Sequence, residues 1–310
     1  MAAQRAMSNS LVTVGIPTYN RPEKLARALD LICCQSHGNL QILVSDNASE
    51  DPRVAEVVQD RMRSDPRVSY HRHETNLGPL ANFRSLIDEV AGEFFLWAAD
   101  DDRWEPFFIA RCVNELERDP SLALCQMEGQ YEVTDGLFEF FAEGEAFYDF
   151  SSASAYERVQ HLIRNNFDKL FYGVYRAKFL KYGGRSVLDW IGPTFNEIPL
   201  LILLAAQGNI RVLPTVGMYK IAAKSVCEQA RWEQIGGRYP VPAKWGDYFR
   251  SFRPLHKYHS GVISEVSATI DDVIPDRIQA QALRRLVAFR IRCHELYFVL
   301  RWKPRRRGAP

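Results

Sequence analysis

The chain has 310 residues, 46% apolar and 25% charged, the balance of an ordinary globular protein. With 39 basic against 38 acidic side chains the formal net charge is +1, which excludes a general pull toward nucleic acid or another polyanion. No apolar run approaches the roughly 18 residues that cross a bilayer, and "MAAQRAMSNS" lacks the apolar core of a signal peptide, so a cytoplasmic location is expected. "LVTVGIPTY" is apolar and β-branched and reads as a buried strand, broken by Asn20, Arg21 and Pro22. "EKLARALDLICCQS" carries Leu25, Ala28, Leu29 and Ile32 at helical spacing. "LQILVSDNAS" is a second buried strand with a polar end, "RVAEVVQDRMRS" a helix, and "RVSYHRHE" a short alternating strand. "NLGPLANFRSLIDEVAG" opens with a turn and continues as a helix stopped at Gly92. "EFFLWAA" is a fourth strand, "EPFFIARCVNELERDP" a helix with Pro106 near its first turn, and "LALCQMEGQYEV" a strand.

Strand and helix alternate to about residue 125, which indicates a mostly parallel sheet with helices on both faces. Ligands bind such sheets beyond the carboxyl ends of the strands. Three polar clusters fall at predicted strand ends, residues 18–21, 46–49 and 100–102, so they are expected to meet at one cleft. Past residue 136 the pattern loosens. "GLFEFFAEGEAFYDFSS" reads as loop or irregular strand, "ASAYERVQHLIRNN" as a helix, and "LFYGVYRAKFLKYGG" as a strand followed by a helix. "NEIPLLILLAAQGNIRVLP" reads as a helix, a stop at Gly208 and a strand; helices are expected beyond Ser225. The six cysteines show neither a C-x-x-C pair nor a zinc spacing and read as mostly buried thiols.

The fourth strand runs into Asp100, Asp101 and Asp102. Adjacent carboxylates repel, and burying them is costly unless a cation pairs with them. One reading is a solvated acidic turn before a helix. The other is a hard divalent cation, which takes one or two protein carboxylates and fills its remaining positions with substrate phosphates.

"IPTYNRPEKLARAL" resembles the opening of the family 2 glycosyltransferases, and "LQILVSDNASED" resembles their second strand with its terminal aspartate. "NLGPLANFRSLIDEVAGEFFLWAADDDRWEP" is similar to their N-x-G turn, helix and aspartate motif followed by proline, with Ala99 where the first aspartate of D-x-D-D usually stands. The likeness spans roughly residues 10–130 and, more weakly, 165–225. It implies an α/β GT-A (Rossmann-like) fold, with a nucleotide-sugar half over 10–130 and an acceptor half over 131–225 inside a domain of residues 1–225. A mainly helical extension follows over 226–310.

The resemblance also implies roles. Pro17, Thr18 and Tyr19 would hold the nucleotide base, and Asp46 would accept a hydrogen bond from a uracil ring. Asn76, Gly78 and Arg84 would lie near ribose and diphosphate, and Asp100 near the ribose. Asp101 and Asp102 would hold Mn2+ or Mg2+. Inverting transfer needs a general base to take the acceptor's proton. Glu197, in the place of an acidic pair at a helix start, is the candidate, with Asp189 in reserve. "VGMYKIAAKSV" keeps the tyrosine and a cation, Tyr219 and Lys220, of a later family segment but has no histidine; Lys224 would pair with diphosphate. The implied activity is metal-assisted transfer from a UDP-sugar to a saccharide or lipid-linked saccharide, in polysaccharide biosynthesis. A sugar nucleotidyltransferase is the alternative enzyme class, although "GIPTYNRPEK" lacks its glycine-rich phosphate loop. A non-catalytic nucleotide-sugar-binding relative is the third reading. Between residues 284 and 307, arginine and lysine far outnumber the one acid, Glu295, and are interleaved with Phe289, Tyr297 and Trp302. Such a segment suits peripheral contact with an anionic membrane face. A homodimer completes the expectations.

Overall fold

The computed structural model describes residues 9–133, 136–139, 150–164, 168–192, 197–221 and 245–301. Strand β1 (Val12–Thr18) is buried along its whole length, as an apolar strand flanked on both sides must be. Helix α1 (Pro22–Cys33) starts on a proline and buries Leu25, Ala28, Leu29 and Ile32, the predicted face. Then come β2 (Leu40–Asp46), α2 (Arg53–Ser64), β3 (Val68–Arg72), α3 (Pro79–Asp88) and β4 (Phe94–Trp97). A short strand β5 (Asp102–Trp104), helix α4 (Phe108–Arg118), and the strands β6 (Leu122–Val133) and β7 (Gly136–Glu139) follow.

Helix α5 (Ala155–Arg164) leads to β8 (Val174–Arg176), a small hairpin of β9 (Lys181–Tyr182) and β10 (Arg185–Ser186), α6 (Ile198–Gln207) and β11 (Asn209–Ile221). Two long helices close the described chain, α7 (Trp245–Val273) and α8 (Arg277–Arg301). The main sheet has the order β3-β2-β1-β4-β8-β6-β11-β5, with β7 beside β6. Strands β1, β2, β3, β4, β6 and β11 run one way, and β5, β7 and β8 run against them. The mostly parallel α/β reading therefore stands.

Three local readings are corrected. The segment after β8 contains 3-10 turns, Ala177–Phe179 and Val187–Trp190, around the β9–β10 hairpin rather than a helix. Gly183 and Gly184 both have positive φ, which breaks the helical pattern where the side-chain spacing suggested it. The aspartate cluster does not simply end a strand, because the chain turns at residues 100–101 and re-enters the sheet as β5, antiparallel to β11. Cys112 and Cys125 are buried as expected, but Cys34 and Cys293 are exposed.

The core is continuous. Trp97 packs its ring parallel to Phe171 at 4.9 Å and edge-on to Phe95 and Tyr175. Val262, Val266, Ile270, Leu283 and Val287 of α7 and α8 join the same cluster, so the long helices pack on the sheet domain through α5 and α6. No helix among the described residues is long and apolar enough to cross a membrane.

Candidate functional site

The three predicted polar clusters do meet. In the parallel pairing of β1 with β2, Thr18 stands opposite Asp46. The loop after β1 is tied to the loop after β2 by Asn20, whose φ of 52° lies in the left-handed region that asparagine tolerates. The Asn20 backbone N–H donates to Ser49 Oγ at 2.9 Å, and its Oδ1 accepts from the backbone of Glu50 (2.7 Å) and Asp51 (3.1 Å). Thr18 Oγ1 donates to Asp100 Oδ2 at 2.9 Å, joining the first cluster to the third. Beneath them Asn82, absent from the predicted residues, donates to the carbonyl of Ser45 (3.1 Å) and accepts from Ser45 Oγ (2.7 Å). A buried amide with donors and an acceptor on one group suits this clamping of a strand end.

Asp46 is buried, with Oδ1 accepting from the Ser49 N–H (2.9 Å) and Oδ2 from Tyr70 Oη (2.6 Å). Burial, followed by that bond to Asp46, pushes the Tyr70 phenol well up. Asp46 thus makes its turn. A carboxylate has about four lone-pair sites, so room for a further donor remains. Pro17 is buried and Tyr19 is exposed. Asn76 Oδ1 accepts from Asn47 Nδ2 and from the Gly78 N–H, both at 2.9 Å. Gly78 has φ 83° and ψ 163°, a conformation almost reserved for glycine, and it starts α3.

Each carboxylate of the triplet has a cationic partner. Asp100 is nearly buried and accepts from Thr18 and from Arg21 Nη1 (3.0 Å). Burial raises its pKa, and Arg21 offsets part of the rise. Asp101 is the exposed member, its side chain 36% accessible, with Arg21 at 3.2 Å and Lys24 at 3.5 Å. Asp102 is buried, and both its oxygens lie 3.3 Å from Lys220 Nζ. Burial pushes Asp102 up to about 6 although Lys220 pulls the other way. The Lys220 ammonium also sits 3.8 Å from the centre of the Tyr172 ring. Burial raises the Tyr172 phenol to about 12, with Asp102 and then Glu197 adding to the rise. Glu197 also helps raise buried Tyr175. Glu197 itself is half-buried and stands at the start of α6.

Arg84 and Asp189 meet each other. Arg84 Nη1 lies 2.6 Å from Asp189 Oδ1, and Arg185 Nε lies 3.9 Å from Oδ2. Asp189 is thus committed to guanidinium groups. Asp189→Asn is expected to cost under about 1 kcal/mol of stability, the scale of a partly exposed ion pair, and to leave kcat near the wild-type value. A thermal melt beside steady-state kinetics checks this; a collapse of kcat would make Asp189 the base. Lys224 lies outside the described residues. Arg21, Lys24, Asn82 and Tyr172 are site residues that the sequence reading did not assign. The spacing of Arg21 and Lys24, one helical turn apart at the start of α1, was the available signal for the first two.

A carboxylate-rich donor set of oxygen atoms suits a hard divalent cation. Among the described residues no group of three or more His, Cys, Asp or Glu is gathered as a ready-made cage. An ion here would be held by one or two of these carboxylates, with a bound phosphate completing its shell.

The mostly parallel α/β sheet, with carboxylates and cations beyond its strand ends, has the architecture of the GT-A fold. Residues 13–163 match the model of glycosyl transferase family 2, and over that span the chain belongs to the family. It is 36% identical over 92 residues to the GalNAc(5)-diNAcBac-PP-undecaprenol beta-1,3-glucosyltransferase of Campylobacter jejuni, a match covering 29% of each chain. The chain thus spans less than a third of that relative's length. In fold it is similar to Staphylococcus aureus TarS in complex with UDP-GlcNAc, with a TM-score of 0.62, 16% identity, and coverage of 94% of this chain and 76% of that one. It is also similar to the mannosyltransferase PcManGT of Pyrobaculum calidifontis in complex with GDP-Man and Mn2+, with a TM-score of 0.53, 15% identity, and coverage of 98% and 77%.

Proposed function

We propose that the protein transfers a sugar, with inversion, from a UDP-sugar to a hydroxyl of a saccharide or lipid-linked saccharide, assisted by Mn2+ or Mg2+. The observation that supports this reading best is the meeting of the aspartate turn with the ends of β1 and β2, where Thr18 donates to Asp100 and stands opposite Asp46, with Lys220 of β11 on Asp102. The UDP-GlcNAc complex of TarS supports uridine, and the PcManGT complex supports the metal. The undecaprenol-linked substrate in the Campylobacter relative's name supports a lipid-linked acceptor.

Pro17, Thr18 and Tyr19 flank the base, and Asp46 accepts a hydrogen bond from the ring. Asn76 and Gly78 shape the wall beside ribose and diphosphate, and Asp100, fixed by Thr18 and Arg21, faces the ribose. Asp101, with Asp102 beside it, would hold the ion, which offsets charge on the departing diphosphate. Arg21 and Lys24 add positive charge there; both are half-exposed and long enough to turn toward a phosphate. Arg84, paired with Asp189 in this structure, would exchange that partner for diphosphate. Glu197 stands at a helix N-terminus, which favours its ionised, proton-accepting form. It takes the acceptor hydroxyl proton as the oxygen attacks the anomeric carbon.

Calorimetry of UDP binding tests the metal. Affinity with Mn2+ is expected to exceed that in EDTA by at least tenfold, about 1.4 kcal/mol; equal affinities would count against a metal-bridged diphosphate. The basic C-terminal segment is proposed to dock reversibly on anionic lipid at the cytoplasmic membrane face. Each basic residue near such a surface contributes about 1 kcal/mol, and salt screens it. Co-sedimentation with phosphatidylglycerol vesicles at low salt, lost at high salt and absent with neutral vesicles, is the expected result. Unchanged binding after deletion of residues 301–310 would sink it.

A further inference from the structure

We infer that Gln35 is a positioning residue for sugar transfer: from the far end of α1 it holds the exit of β5 and so fixes the height at which residues 100–102 face the site. The inference rests on the function proposed above and adds to it a residue that touches neither substrate.

The sheet by itself holds β5 weakly. The strand has 3 residues and comes last in the strand order, paired among the described residues with β11 alone. A short edge strand makes few ladder bonds. Its other support is helix α1, which packs against it. That helix has 12 residues and is about 18 Å long. At its start Arg21 meets Asp100 at 3.0 Å and Asp101 at 3.2 Å. Just past its end, Gln35 and Ser36 reach the chain where it leaves β5. Gln35 Nε2 donates to the Glu105 carbonyl at 2.9 Å, and Gln35 Oε1 accepts from the Ile109 N–H at 3.2 Å. The Ser36 N–H donates to the Pro106 carbonyl at 2.7 Å. Helix α1 thus brackets residues 100–109 from both ends.

A glutamine suits this place. It is buried, and its amide carries a donor and an acceptor on one group, which the Glu105 carbonyl and the Ile109 N–H require together. The Ile109 N–H is among the first of α4, which have no partner within the helix, and Phe107 at the cap makes no side-chain bond. Without Gln35 that buried N–H loses its bond, and the lower end of the bracket opens. At the other end Arg21 is half-exposed, and such a pair alone holds a strand weakly. A bracket fixed at one end pivots. Asp102, opposite Lys220 at the start of β5, moves with it. Strands β1 and β2, which carry Thr18 and Asp46, are paired on both sides and do not lean on Gln35. The transfer step should therefore suffer while donor binding is kept.

The test compares the full-length wild type with Gln35→Met, which keeps the length of the side chain and loses both bonds. Hydrogen exchange read by mass spectrometry should speed up over residues 102–109 and stay unchanged in β1 and β2. Calorimetric affinity for UDP should remain within about threefold, the span left by an intact base pocket. Turnover, read as UDP released from a panel of UDP-sugars, should fall about 10- to 100-fold, the scale of a small misplacement made far from the chemistry. Val58→Ala, a cavity in the buried face of α2, serves as the control: it should lower the melting temperature and keep kcat, which separates lost stability from lost position. Faster exchange in β5 with full kcat would overturn the inference and leave the proposed function intact. Loss of UDP affinity in step with kcat, with faster exchange across the whole sheet, would overturn it too. A wild type that consumes no UDP-sugar would overturn the proposed function and the inference with it. Should Gln35→Met fail to fold, as judged by circular dichroism, Gln35→Asn decides on the same readouts, since it keeps the amide but withdraws it from both partners.

Discussion

Glu197→Gln slows turnover by about 10²–10⁴-fold and leaves donor affinity close to wild type, because an amide cannot take the acceptor's proton. The substitution keeps shape and volume at the start of α6, where Glu197 makes no side-chain capping bond that the amide would lose. A base in that position must be ionised to accept a proton, and the helix N-terminus favours that state. The split between kcat and donor Kd is the diagnostic. A drop in both would point to a structural role for Glu197, and full turnover would move the base elsewhere.

Asp101→Asn lowers kcat/KM by about 10²–10³-fold, the scale of removing one preorganised group that stabilises transition-state charge. The fold should be unaffected, since its ion pairs with Arg21 and Lys24 are exposed and such pairs contribute roughly 0–1 kcal/mol. Loss of activity with an unchanged melting temperature separates this role from a structural one. The variant should also lose the difference between Mn2+ and EDTA in donor binding. An Asp101→Asn enzyme that still responds to Mn2+ would place the ion on another group.

The part of the site built from strand ends was legible in the sequence. "LVTVGIPT" and "LQILVSD" are apolar and β-branched up to the residue where the chain leaves the sheet, so Thr18 and Asp46 could be set side by side before any coordinates. The acidic turn was legible for the same reason, although its return as β5 was not. Three residues of strand have too little periodicity to register, and their partner β11 lies more than a hundred residues on. The answer to the triplet's charge was hidden by the same distance. Arg21 was visible as a loop residue and Lys220 as a departure from a family segment, but only the closed sheet brings each to its carboxylate. Asn82 escaped because an asparagine inside a helical pattern signals nothing until the strand ends it clamps are in place. Arg84 and Asp189 were each singled out, yet their pairing depends on the 3-10 turn at Val187–Trp190, which helical spacing in the preceding segment disguised.

The most direct test of metal-assisted sugar transfer is mass spectrometry of the full-length protein incubated with a panel of nucleotide sugars and Mn2+. One donor, a UDP-sugar, should be converted to UDP by wild type, at a rate cut sharply by EDTA, by Asp101→Asn and by Glu197→Gln. If no donor in the panel is consumed, or if consumption is the same in EDTA and in both variants, the assignment of the aspartate turn and Glu197 to catalysis is contradicted.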